Sequence, residues 1–148
     1  MNFHFQCFSF NQLNTAQLYR LLQLRSEVFI VEQNCAYQDL DDKDFCSHHL
    51  LMYEATKLIA YARLIPQNIS YAEISIGRIV NASSHRNKGI GKILMNKAID
   101  ECYRLFGKQR IKISAQVYAV GFYTQFGFET SGEPYLEDDI PHVKMILK

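Results

Sequence analysis

Charge of one dominant sign, long apolar runs and paired cysteine motifs are all missing from this 148-residue sequence. Sixteen Lys and Arg stand against fifteen Asp and Glu, a formal net charge of +1. No global field therefore draws the chain onto nucleic acid or an anionic membrane. No apolar stretch approaches membrane-spanning length. The opening Met1-Asn2-Phe3-His4-Phe5 has no basic segment followed by an apolar run, so no secretory leader is expected. Cys7, Cys35, Cys46 and Cys102 share no spacing, which favours reduced thiols in the cytoplasm over a disulfide framework. Repeats, low-complexity tracts and Pro/Gly-rich linkers are absent too. The expectation is one globular domain over residues 1–148, since this length suits one full core and not two.

What is present centres on residues 75–94. A β-branched run (Ile76, Ile79, Val80) reads as a strand. A polar turn, Asn81 to Ser84, leads into Arg86-Asn87-Lys88-Gly89-Ile90-Gly91-Lys92, and a long amphipathic helix follows. Gly89 and Gly91 carry no Cβ where the chain turns, so backbone N–H groups can converge on one spot. That spot is also a helix N-terminus, where free N–H groups and the dipole favour an anion. Arg86, Lys88 and Lys92 add positive charge. A phosphate group is the expected ligand. The Walker pattern fails because Ile93 follows Lys92, and the dinucleotide pattern fails because Leu94 stands where a third small residue is needed. What fits is Arg-x-x-Gly-x-Gly, on Arg86, Gly89 and Gly91.

Along the chain, alternation predicts an opening strand from Phe3, and Asn14 with Gln17 is a capping-box signature for a helix. Leu18, Leu21, Leu22 and Phe29 form its apolar stripe, and Arg25 falls inside it. Such a guanidinium either snorkels from the helix edge or faces the active-site cleft. Asp39, Asp41, Asp42 and Asp44 form an acidic run without the glycine and final acid of a calcium loop. It reads as a solvated loop, with steering of a cationic amine as the alternative. Cys35, Cys46, His48 and His49 lack zinc-ligand spacing, so no metal is expected. His49 to Glu54 and Lys57 to Ile65 read as a hairpin ended by Pro66, with Arg63 interrupting the second strand. Tyr71 to Asn81 reads as the central strand. Its even positions are apolar apart from Arg78, and Gly77 hints at a bulge that leaves backbone groups bare for an extended ligand. Gly89 to Phe106 is the long helix, buried through Ile90, Leu94, Ala98 and Cys102 and widened by Ile93 and Ile99. Gly107 is its expected left-handed cap. Ile111 to Gln116, Gly127 to Glu129 and His142 to Leu147 read as strands, and Val117 to Phe126 as a short helix. The expected fold class is α/β (α+β), a mixed central sheet of about six to seven strands flanked by helices on both faces.

The Arg86–Gly91 loop resembles the acyl-CoA loop of the GNAT superfamily of N-acyltransferases. Tyr123-Thr124-Gln125-Phe126-Gly127-Phe128 resembles that family's Tyr-x-x-Φ-Gly-Phe motif, with Gln116 where many members have asparagine. Leu24-Arg25, Val28-Phe29, Val31-Glu32-Gln33, Cys35-x-Tyr37, Ala60-Tyr61-Ala62-Arg63, Ile76-Gly77-Arg78 and Glu137-Asp138-Asp139-Ile140-Pro141-His142 are similar to the ElaA-like subgroup. Asn87 and Asp139 depart from the usual glycines.

The resemblance implies a single-domain GNAT fold and an N-acetyltransferase working by direct transfer in a ternary complex. Acetyl-CoA would be the donor, CoA the product, and a small-molecule or peptide amine the acceptor, with neither nucleic acid nor membrane as partner. Ile79, Val80 and Asn81 would meet the pantetheine arm. Arg86, Asn87, Lys88, Gly89, Ile90, Gly91 and Lys92 would hold the diphosphate, with Gln116, Phe122 and Tyr123 completing the site. Tyr123 would protonate the leaving thiolate. The base is left open among Glu32, His49, Glu73 and His142, with Glu137 behind them. Arg25, Glu32, Gln33, Arg63 and Arg78 are the acceptor-side candidates. The alternative is an acyl-CoA-sensing module without chemistry. A homodimer is compatible with the sequence but not specified by it.

Overall fold

Phe3, Phe5 and Cys7 alternate with His4, Gln6 and Phe8, and the chain opens as strand β1, Phe3–Ser9, in a computed structural model that describes residues 2–148. Asn14 caps helix α1, Thr15–Arg25. Its side chain accepts from the Gln17 N–H at 2.7 Å, and the Gln17 side chain accepts from the Asn14 N–H at 2.9 Å, the reciprocal box the sequence predicts. The helix then widens into a π-helical stretch, Ser26–Glu32, where the Gln33 and Cys35 N–H groups reach back to the Val28 and Ile30 carbonyls. Strands β2, His48–Glu54, and β3, Lys57–Ile65, form the expected hairpin. Strand β4, Ser75–Asn81, is shorter than the expected run from Tyr71. Helix α2, Ile90–Phe106, follows. Gly107 ends it at φ +83° and ψ 159°, a positive-φ conformation open to glycine but not the expected left-handed helical one. Strand β5 is Ile111–Gln116, helix α3 Val120–Thr124, strand β6 Glu129–Glu137 and strand β7 Ile140–Leu147. Among the described residues no helix is long and apolar enough to cross a membrane.

The seven strands form two sheets, ordered β1-β2-β3-β4 and β5-β7-β6, with antiparallel pairing inside each. One parallel bridge, Ile74 to Ile111, joins them, and the Lys112 N–H donates to the Ile74 carbonyl at 2.9 Å. The mixed sheet that the sequence implies is thus split between β4 and β5.

Period-two alternation sorts side chains to opposite faces. Leu50, Met52, Ala60 and Ala62 pack with Leu94, Met95, Ala98 and Cys102 of α2. Leu51 and Tyr61 pack with Leu21, Leu24 and Val28 on the α1 side. Helices therefore cover both faces of the first sheet. Ile93, expected on the buried face of α2, is 39 % exposed.

A one-residue bulge interrupts β4. Tyr61 pairs with Val80 and Arg63 with Gly77, so β4 spends one residue more than β3. Arg78 carries it at φ +49°. The extra residue inverts the alternation downstream. Ile76 packs on the α2 side and Val80 on the α1 side, although both were expected on one face.

On the α1 side lies a closed ring of charge. Arg25 reaches Asp39 at 3.0 Å and Asp44 at 2.7 Å. Arg63 reaches Asp44 at 3.0 Å and Asp41 at 2.7 Å. Arg78 returns to Asp41 at 3.3 Å and Asp39 at 2.7 Å. Each guanidinium serves two carboxylates and each carboxylate two guanidinia. The 39–44 segment is therefore not the solvated acidic loop of the sequence reading, and only Asp42 of its four acids is exposed. Burial would raise Asp41, but its bonds to Arg63 and the charges of Arg63 and Arg78 prevail and hold it at about 2. Asp44 is lowered by the same balance, with Arg25 and Arg63 outweighing burial. His49 abuts the ring, its Nε2 donating to the Asp44 carbonyl at 2.9 Å and its Nδ1 accepting from the Tyr61 hydroxyl at 2.6 Å. Burial, with help from Arg25 and Arg63, pushes its pKa down.

Asp44→Asn leaves two buried guanidinia short of one carboxylate, and the expected loss is about 3–5 kcal/mol, read as a lower urea midpoint with an unchanged slope. Acid should unfold the protein in two stages. His49 has a depressed pKa in the fold, so its neutral-state stability is complete above roughly pH 6.5 and falls below it, where only the unfolded chain takes the proton. The Asp41 contribution is complete above roughly pH 4 and is lost towards its folded value of about 2. Melting temperature followed from pH 8 to pH 3 should decline first below about 6.5 and again below about 4, and His49→Gln should shrink the first decline, leaving the part due to His48, whose pKa burial also lowers.

Candidate active site

Beyond the Ile74–Ile111 bridge, β4 and β5 part. β4 gives its ladder to β3 and β5 gives its own to β7, so their facing edges carry free backbone N–H and C=O groups. A cleft of about 1030 Å³ opens there, walled on one side by β4 from Ile76 to Asn81 and on the other by Ile113, Ser114 and Gln116.

The start of α2 stands on its wall through Gly91. Gly89, at φ +75°, is the N-cap, and among the described residues no side chain caps the helix. Its first N–H groups stay free for an anion, and glycine accepts this backbone without the strain an L side chain would meet. Gly91 packs closely: a Cβ there would lie 3.3 Å from Asn81 Nδ2 and 3.5 Å from Phe122 Cζ. Asn81 Oδ1, also on this wall, is buried with no donor among the described residues. Arg86 Nη2 lies 2.6 Å from Glu32 Oε2 and donates to the Asn81 carbonyl at 3.3 Å. This pair links the π-helical stretch to the glycine loop across the cleft mouth.

Tyr123 lines the cleft from α3. An edge-to-face aromatic group fixes it, with Phe122 at 5.2 Å and Phe128 at 6.1 Å between ring centroids. Gly127, at φ +99° and 3.1 Å from Leu147 Cδ1 as measured from a would-be Cβ, lets the chain double back under it. Burial, and then the neighbouring Tyr118, push its hydroxyl pKa up to about 12, so it stays protonated at neutral pH. His142 faces the cleft from β7, its Nδ1 donating to the Ile140 carbonyl at 2.6 Å and its Nε2 lying 3.4 Å from Glu137 Oε2.

Glu32, Gln33, Arg78, Ile79, Val80, Asn81, Arg86, Gly91, Gln116, Phe122, Tyr123 and His142 thus meet around one cleft. Asn87, Lys88, Gly89, Ile90 and Lys92 lie just beyond its wall, in the glycine loop and first turn of α2. Arg25, Arg63 and His49 do not line it: all three are nearly fully buried and belong to the charge ring and its neighbour. Glu73 precedes β4 and stands off the wall. Sequence reasoning missed Ser114, whose alternation with core Ile113 and Ala115 was its available signal. It also missed Asp41 and Asp138 as wall residues, since only the folded loops bring them there.

A two-helix-faced, split sheet whose parallel strands part beside an uncapped helix start is the architecture of the N-acyltransferase class that the motifs imply. A family model described as "Acetyltransferase (GNAT) domain" matches residues 7–148, and the chain belongs to that family. Its relatives are ElaA-like. Protein ElaA of Escherichia coli K12 is 38% identical over 137 residues, covering 91% of this chain and 90% of ElaA. The crystal structure of an acyl-CoA N-acyltransferase from Pseudomonas aeruginosa superposes with a TM-score of 0.94 at 38% identity, covering 99% of this chain and 100% of that one. That of Escherichia coli ElaA gives 0.93 at 35% identity with the same coverage.

Proposed function

We propose that this acyltransferase moves the acetyl group of acetyl-CoA to a primary amine, by direct attack within a ternary complex. The observation that carries the reading is that the parted edge of β4, the uncapped start of α2 and the protonated Tyr123 meet around one cleft. Three features fit a CoA-type ligand. Free amides at a helix start suit its diphosphate, a bare strand edge suits its amide-bearing arm, and the orphaned Asn81 Oδ1 suits an amide N–H donor.

Acetyl-CoA supplies an activated thioester. The α2 amides and Arg86 bind the diphosphate, and the phosphates compete with Glu32 for the Arg86 guanidinium. Backbone groups of Ile79 and Asn81 align the arm, and Tyr123 gives its proton to the departing sulfur. An amine must attack unprotonated, and an ordinary lysine-type amine titrates near ~10.4. His142 is the base that this geometry favours. Its Nδ1–H is committed to a carbonyl, and its Nε2, 3.4 Å from Glu137 Oε2, can take the amine proton with that carboxylate beside the imidazolium formed. Glu32 is engaged by Arg86, and both ring nitrogens of His49 are spent in the core.

Thiol release from acetyl-CoA with a panel of primary amines tests the reaction. Tyr123→Phe should lower kcat by roughly 10²- to 10⁴-fold while calorimetry finds the acetyl-CoA affinity kept. Unchanged turnover in that variant would remove the phenol from the chemistry. Binding of acetyl-CoA with no thiol release from any amine would favour a sensing module.

A further inference from the structure

The face of the second sheet that looks into the cleft carries a hydrogen-bond chain that the acetyl transfer above does not use. Register sets Ser114 beside Lys144 and Gln116 beside His142. These side chains share one face, opposite the buried Ile113, Ala115, Val143 and Met145. Lys144 Nζ donates to Tyr135 Oη at 2.7 Å and to Tyr71 Oη at 3.2 Å, and it lies 4.4 and 4.9 Å from the centres of the two rings. Tyr135 is in turn hydrogen-bonded to Ser114 Oγ. Ser114 lines the cleft, whereas Tyr135 and Lys144 stand behind it. Burial would lower the Lys144 pKa, but its bonds to the two phenols raise it, so it remains an ammonium that can only donate.

Counting protons then gives a direction. Ser114 and Tyr135 hold two O–H protons between them but share one bond, and Lys144 offers no lone pair. One hydroxyl proton is therefore left without an acceptor among the described residues. The Lys144 ammonium polarises the Tyr135 hydroxyl and makes it the better donor of the two; with its proton on Ser114, the Ser114 proton is free to turn into the cleft. Facing the cleft, this donor is open to a ligand oxygen in place of water. Its position suits a ligand close to the chemistry. Ser114 lies three residues past Ile111 and Gly77 three past Ile74, so on the parallel strands the hydroxyl comes level with the bulge of β4. The same face carries the Glu137–His142 pair, which complements an amine.

We propose that Ser114 is an acceptor-specificity residue, positioned by Tyr135 and Lys144 to donate to a carbonyl oxygen beside the acceptor's amine. The acceptor class is then an α-amino carbonyl compound, such as an amino acid amide or a peptide N-terminus, rather than an alkylamine or polyamine. This rests on the acetyl-transfer reading and adds the acceptor's chemistry to it.

The test uses glycinamide and ethylamine as a matched pair, read by thiol release from acetyl-CoA in the wild type and in Ser114→Ala, Tyr135→Phe and Lys144→Met. Each variant should raise KM for glycinamide roughly three- to tenfold, the worth of one neutral hydrogen bond, and leave kcat and KM for ethylamine unchanged. Tyr135→Phe keeps the ring, and calorimetric affinity for acetyl-CoA serves as its control for folding. An unaltered glycinamide-to-ethylamine ratio in Ser114→Ala and Tyr135→Phe would overturn the proposal. An equal loss with both amines would assign the hydroxyl to the thioester carbonyl and overturn it as well. No thiol release with either amine or any other in the wild type would overturn the acetyl-transfer reading itself.

Discussion

Three arginines and three aspartates closed into one ring hold this molecule's working parts in place. Arg25 comes from α1, Arg63 from β3 and Arg78 from β4, and all the carboxylates come from the short 39–44 segment. Isolated, each of these charges would be expensive under the sheet. Joined, they cancel, and the segment between the first helix and the hairpin is drawn down against the first sheet. The cancellation also settles the fate of the acidic run. Its carboxylates face guanidinia, so Asp41 on the cleft wall does not act as a free anion that would steer a cationic acceptor.

The bulge in β4 depends on the same ring. A non-glycine residue at positive φ is strained, and Arg78 holds that conformation while its guanidinium is bonded to Asp39 and Asp41. The extra residue turns Val80 to the α1 side and Ile79 to the α2 side. A bulge bends the strand that carries it, and beyond the Ile74–Ile111 bridge the facing edges of β4 and β5 are unpaired. Core packing, the ring and the opening of the cleft are thus one arrangement.

Much of the fold was legible because its causes are local. The Asn14–Gln17 box, the turn at Ala55, the stop at Pro66 and the helix from Gly89 each follow from neighbouring residues, and each lies where the sequence puts it. The two motif segments met around one cleft for the same reason: strand, glycine turn and helix are set within a short stretch, as is the aromatic turn of Tyr123 to Phe128. Arg25 shows the other side. Its place on the apolar stripe was readable, but its partners lie 14 and 19 residues on, and no periodicity announces them.

Composition and alternation by themselves determined the fold class, and the glycine spacing placed the helix start after Gly89; the family was legible as a resemblance of the Arg86–Gly91 and Tyr123–Phe128 segments. These rest on backbone preferences and on contacts short in sequence. Tertiary structure alone decided which face Val80 takes, that Arg25, Arg63 and His49 are buried together, and that His142 and Ser114 share one floor of the cleft. Those outcomes depend on strand register and on charges brought together from distant segments, which only the closed chain can pair.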